Sequence, residues 1–132
     1  MRPSKVMLID DNDIDCFIHS RIMQKYDFAD AYQSYTIPAS ALAYLKSNID
    51  SPDALPDIIF LDINMPEMNG FDFLEEFERL DYPKPKRIVM LTSSADDRDN
   101  LKARTYASVF HFLMKPLREA HLIELKEMLR KI

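Results

Sequence analysis

Short apolar runs alternate along this chain with longer stretches in which apolar residues return every three or four positions. The runs are Lys5–Ile9 (KVMLI), Ala31–Ile37 (AYQSYTI, the weakest), Asp57–Asp62 (DIIFLD), Arg87–Thr92 (RIVMLT) and Ser108–Met114 (SVFHFLM). Their length and the absence of a helical period predict strands. Between them, Ile14, Phe17, Ile18, Ile22 and Tyr26 recur at helical spacing, with Asn12 or Asp13 placed to cap the start. Asp13 and Asp15, at the start of that helix, read as helix-cap acids. A second helix carries Ala41, Leu42 and Leu45, a third Phe73, Leu74, Phe77 and Leu80, and the last Leu122, Leu125, Met128, Leu129 and Ile132. The stretch Asp97–Tyr106 is helical but poorly striped.

Strands that are apolar almost throughout are buried on both faces, and helices must carry the chain back between them. That predicts an α/β fold with a parallel sheet covered on both sides. The chain of 132 residues shows no internal repeat or low-complexity run, which suits one domain over 1–132 with no output domain. Its core is expected over about residues 5–131. The balance of 47% hydrophobic and 30% charged residues excludes a disordered or fibrous chain. No apolar run approaches a bilayer span, and the first residues turn acidic where a signal peptide stays apolar, so no membrane partner is expected. The single cysteine, Cys16, forms no internal disulfide, which suits the cytoplasm, and the net charge of −5 argues against nucleic acid.

In a parallel sheet the ligand site lies beyond the carboxyl ends of the strands. Asp10 and Asp11 end the first strand, Asp62 the third, Thr92 the fourth (followed by Ser93 and Ser94), and Met114-Lys115-Pro116 the fifth. Singly, each has a plain structural reading: a cap, a loop residue, or a helix start at Pro116. All on one edge, they make something else. Crowded carboxylates repel and call for a cation. Hard oxygen ligands on a shallow edge favour Mg²⁺, which takes one or two carboxylates and leaves room for a phosphoryl oxygen. Lys115 adds a second positive charge and Thr92 a hydroxyl donor.

The segments LIDDND, FLDINMPEMNG, MLTSS and FLMKP, in this order, resemble the response-regulator receiver domain of two-component signalling. The resemblance covers about Lys5 to Ile132 and implies a flavodoxin-like doubly wound (βα)5 fold with strand order 2-1-3-4-5. It implies that Asp62 is the phosphoacceptor, and that Mg²⁺ is bound by Asp11, Asp62 and the Asn64 backbone carbonyl, with Asp10 acting through water. Lys115 would pair with Asp62 and then with the phosphoryl group, and Lys115–Pro116 would be a cis peptide. Thr92 would turn its hydroxyl to the phosphoryl oxygen, with Phe112 as the aromatic that swings inward; Asn64 and Ser94 would tune phosphate lifetime. The implied donor is a phosphohistidine on a sensor histidine kinase or a histidine phosphotransfer protein. The implied output is a switched α4-β5-α5 surface that binds a downstream protein. Such a chain catalyses only its own phosphorylation and dephosphorylation and is not a turnover enzyme. It is expected as a stand-alone regulator or relay, a monomer or a dimer promoted by phosphorylation.

Three features depart from the pattern: a longer connection, Asn48–Asp57, expected at the sheet end away from the site; a turn before the fifth strand, TYAS, with no glycine; and Phe112 in place of a tyrosine, which removes a hydroxyl so that its inward and outward rotamers differ by packing alone. Two other classes remain in view. A Mg²⁺-dependent phosphohydrolase with an aspartyl nucleophile would need a second acid where Asp62-Ile63-Asn64 has none. A degenerate receiver that only binds protein would not need all of Asp10, Asp11, Asp62, Thr92 and Lys115.

Overall fold

A computed structural model describes residues 1–132. The apolar runs form strands β1 (Lys5–Ile9), β2 (Ala31–Tyr35), β3 (Ile58–Leu61), β4 (Ile88–Thr92) and β5 (Val109–Met114). The helices are α1 (Asp13–Lys25), α2 (Pro38–Ser47), α3 (Gly70–Glu78), α4 (Asp97–Ala103) and α5 (Glu119–Arg130). All strands pair in parallel in the order β2-β1-β3-β4-β5. This is the flavodoxin-like doubly wound fold. Strand order reverses between β1 and β3, and their carboxyl ends carry Asp10, Asp11 and Asp62.

The pleat sends alternate strand residues into two separate cores. Met7, Ile9, Ile59, Leu61, Ile88 and Met90 meet Ala41, Leu42 and Leu45 of α2, Phe73, Leu74 and Phe77 of α3, and Ala103 of α4. Val6, Leu8, Ile58, Phe60, Val89 and Leu91 meet Met23 of α1 and Leu122, Leu125 and Leu129 of α5. The stripes expected on α2 and α3 are therefore the buried ones, apart from Leu80, which is half-buried beyond the end of α3. On α5, Leu122, Leu125 and Leu129 are buried, whereas Ile132 lies beyond the helix and is exposed.

Helix α1 departs from its expected stripe. Its first half, Ile14, Phe17 and Ile18, is 67%, 64% and 49% exposed, while Ile22 and Tyr26 are half-buried against the core and the fully buried positions are Cys16, His19 and Met23. The helix carries two apolar faces, and the smaller, less hydrophobic one lies on the sheet. Helix α4 has the thin anchorage expected of it: Ala103 is its one buried residue, and it ends at Ala103 rather than Tyr106.

The Asn48–Asp57 connection folds a short 3-10 turn, Pro52–Ala54, and buries Leu55. Asp57 N–H donates to Lys5 O (2.9 Å), which places this segment at the amino end of β1, away from the acidic edge. The turn before β5 needs no left-handed residue; positive φ occurs only at Asp27 and Glu67. Ser108 N–H is held there by Glu78 Oε2 at 3.0 Å. No helix is long and apolar enough to cross a membrane.

Candidate functional site

Strand β1 runs straight into Asp10 and Asp11, and β3 into Asp62. Asp10 and Asp62 are buried and Asp11 is exposed. Backbone bonds carry the sheet past the strand ends: Asp10 N–H donates to Tyr35 O (3.1 Å) and Asp62 N–H to Ile9 O (3.0 Å). One carboxylate oxygen from each of Asp10, Asp11 and Asp62 lies within 4.8 Å of the others. Three hard anionic oxygens so placed suit an oxygen-seeking divalent cation such as Mg²⁺.

Lys115 closes the group from the opposite side. Its backbone N–H donates to Thr92 O (2.8 Å), which holds the end of β5 against the end of β4. Its ammonium lies 2.6 Å from Asp10 Oδ2, 2.8 Å from Asp15 Oδ2 and 3.3 Å from Asp62 Oδ2. The expected Lys115–Asp62 pair is thus present, but it is the longest of three. Burial alone would lower the lysine pKa; hydrogen bonds to Asp10 and Asp15 outweigh it and hold the pKa above the usual value. Burial raises the Asp10 carboxyl, against the opposing pull of Lys115 and of the Asn12 N–H.

Asp15 corrects the cap assignment. The cap of α1 is Asn12, whose Oδ1 accepts from Ile14 N–H (2.9 Å) and Asp15 N–H (3.1 Å). The Asp15 carboxylate turns away from the cap to Lys115. Nothing in the sequence distinguished it from an ordinary first-turn acid, because its partner is 100 residues away.

Gly70, the one glycine in the chain, explains how Asp62 is held. A Cβ at this position would lie 2.4 Å from Asp62 O and 2.9 Å from Ile63 Cα. Without it, Gly70 N–H donates to Ile63 O at 2.8 Å, and α3 begins directly against the backbone of the acid. The Asp62 side chain is fixed in turn by Ile63 N–H, which donates to Oδ1 at 2.8 Å and leaves Oδ2 toward Lys115.

Thr92 is fully buried at the end of β4, and its Oγ1 accepts from Ser94 N–H at 3.2 Å. Ser94 Oγ donates to Asp99 Oδ2 on α4 at 2.6 Å, so the loop after Thr92 is tied to the first turn of that helix. Phe112 is half-buried on β5 opposite Met90 and lines grooves on both sides of Asn100 of α4. Asn64 follows Asp62 by two residues with its side chain in solvent. The Lys115–Pro116 peptide is cis, as expected.

A family model for the response regulator receiver domain matches residues 6–127. The chain belongs to this family. Receiver domains are signalling modules of two-component systems, and their known partners are histidine kinases or phosphotransfer proteins. The chain is 26% identical over 115 residues to a probable methanogenesis regulatory protein, FilR2, of Methanothrix harundinacea, covering 87% of this chain and 74% of that protein. It is 32% identical over 131 residues to hybrid signal transduction histidine kinase L of Dictyostelium discoideum, covering 96% of this chain but 7% of that kinase. Among solved structures, a two component response regulator from Cytophaga hutchinsonii superposes with a TM-score of 0.88 at 30% identity over the whole of both chains. A response regulator receiver protein from Dyadobacter fermentans superposes at 0.82 with 26% identity, covering 97% of this chain and 96% of that one.

Proposed function

We propose that this receiver takes a phosphoryl group from a phosphohistidine donor onto Asp62 and signals through α4, β5 and α5. The carrying observation is that the Lys115 ammonium meets Asp62 and Asp10 beside Asp11, on the edge where the sheet order reverses. A strand-end aspartate alone would be a cap; three acids with one ammonium among them form a receptacle for a dianionic group.

Phosphoryl transfer demands alignment and charge neutralisation more than a strong nucleophile. Asp11, Asp62 and the Asn64 carbonyl would hold Mg²⁺, with Asp10 acting through water. When bound, the cation would offset charge on the phosphoryl oxygens. An oxygen of Asp62 forms the new O–P bond as the N–P bond to the donor imidazolium breaks. The electron pair returns to the ring nitrogen, and histidine leaves neutral. Asp62 Oδ1 is held by Ile63 N–H and Oδ2 faces Lys115, so the carboxylate is oriented before the donor arrives. Lys115 then faces a phosphoryl group of about two negative charges in place of the single carboxylate charge, and offsets part of it.

Donor docking is assigned to the solvent face of α1, where Ile14, Phe17 and Ile18 form an apolar patch on the helix that follows Asp10 and Asp11. Output is assigned to α4. Turning the Thr92 hydroxyl toward the phosphoryl group takes the acceptor from Ser94 N–H and slackens the Ser94–Asp99 tie. With Ala103 as its buried anchor, α4 has little packing to resist a shift, and Phe112 can follow into the space beside it. Asn64 and Ser94 flank the acceptor and set the lifetime of the acyl phosphate. The domain acts as a cytoplasmic regulator or relay, passing its state to another protein.

The test is incubation with Mg²⁺ and a small acyl or amido phosphate, followed by intact mass. Wild type gains one phosphoryl unit and Asp62→Asn gains none; equal labelling of the two disproves the assignment.

A further inference from the structure

Of the three carboxylates on Lys115, Asp15 alone stands outside the acidic trio. It occupies the third position of α1, where an acid ordinarily reaches back to the N–H of the cap residue. That N–H, on Asn12, is already taken by Asp10 Oδ1 at 3.0 Å. Asp15 is therefore free to swing toward β5, where it accepts from Lys115 at 2.8 Å with 31% of its side chain exposed and 13% of that of the lysine. Helix α3 provides the internal control. There the same spacing closes a reciprocal box, with Asn69 N–H donating to Asp72 Oδ2 (3.0 Å) and Asp72 N–H to Asn69 Oδ1 (2.9 Å).

We propose that Asp15 is a positioning residue for Lys115: at 2.8 Å it draws the ammonium off Asp62, which is left at 3.3 Å while Asp10 keeps its 2.6 Å pair, so that the Asp62 oxygens remain available to a divalent cation. This rests on the reading of the site given above. The ammonium and the cation compete for the same oxygens. A lysine with no partner outside the trio keeps Asp10 and settles closer onto Asp62, and any incoming metal must displace it there. Asp15 offers it a place that the metal does not need, and also adds a negative charge near the site. Both effects favour metal entry.

Calorimetric titration of the whole chain with Mg²⁺ tests this. Asp15→Asn is expected to weaken binding roughly fivefold, the size of a partly screened ion pair. Asp15→Glu keeps the charge and restores most of the affinity. Asp13→Asn removes a neighbouring exposed acid with no bond to Lys115 and shifts affinity by under about twofold, the background effect of one screened charge. In a Lys115→Met background the effect of Asp15→Asn falls to that of Asp13→Asn. The inference is overturned if Asp15→Asn and Asp13→Asn behave alike, or if the effect of Asp15→Asn survives loss of the lysine. A lowered melting temperature in Asp15→Asn with unchanged Mg²⁺ affinity makes Asp15 a structural acid and also overturns it. Wild type that binds Mg²⁺ but gains no phosphoryl mass disproves the proposed function while leaving this claim intact.

Discussion

Helices α1 and α3 both begin beside the acidic edge, and both begin with Asn-x-x-Asp: Asn12-Asp13-Ile14-Asp15 and Asn69-Gly70-Phe71-Asp72. In each the asparagine caps. Every later position then takes a different role. The first helical residue is exposed Asp13 in α1 and Gly70 pressed onto Asp62 in α3. The second is exposed Ile14 in one and buried Phe71, stacked on Tyr106, in the other. The third gives its carboxylate to Lys115 in one and to its own cap in the other. A local motif specifies that a helix starts; what surrounds it decides what the start is for. Helix α3 is spent on rigidity and α1 on contact, with the ammonium on one side and solvent on the other.

Four substitutions press on that contrast, and the largest effect is expected at the first position. Gly70→Ala forces a methyl against Asp62 O and should cost about 2–3 kcal/mol, the range of overpacking in a tight site. Asp13→Ala, its counterpart in α1, should stay within about 0.5 kcal/mol. Chemical denaturation of the two variants checks the pair, and similar losses would erase the distinction. Next in size, Asp72→Ala opens the capping box and should cost about 1 kcal/mol by the same measurement. Asp15→Ala should cost less, because the Asn12 cap remains closed without it.

A pH effect separates the two helices further. The buried side of α3 holds glycine and apolar residues, whereas that of α1 holds His19, whose pKa is lowered by burial against the opposing pull of Asp15. A histidine with a lowered folded pKa contributes stability above its unfolded value near 6.5, and that stability is lost as pH falls through the folded pKa. Metal-free wild type should therefore lose stability below about pH 6.5, with a slope from this group of at most about 1.4 kcal/mol per pH unit. Melting curves of His19→Gln should lack that component. The smallest effect on stability belongs to the solvent face of α1. Phe17→Ala should change unfolding free energy by less than about 0.5 kcal/mol. Phosphoryl uptake from a phosphohistidine protein should slow, while uptake from a small phosphate donor stays unchanged. Equal slowing with both donors would move the docking face elsewhere.

The two helices also mark how far residue patterns carry. The stripes of α2 and α3 were readable because their large apolar residues share one face, while the other holds polar residues and, in α2, alanines. On α1, large apolar residues lie on two faces, and hydrophobicity favours Ile14, Phe17 and Ile18 over Cys16, His19 and Met23. The sheet buries the latter set because the path out of β1 turns that face inward. Asp10, Asp11, Asp62, Thr92 and Lys115 could be collected on one edge from their places at strand ends, since parallel strands bring all their carboxyl ends to one side.

By itself the sequence determined the alternation of strand and helix, the two-sided burial of the sheet and the edge at which charged groups gather. These follow from the period of apolar residues and from chain direction, both local properties. Tertiary structure decided which face of α1 meets the core, why the single glycine stands at Gly70, and which acids share the lysine. Each of these depends on a three-dimensional approach that no residue period reports: Asp62 O on Gly70, Asp10 Oδ1 turned back onto Asn12 N–H, and Asp15 on an ammonium brought by β5 from 100 residues away.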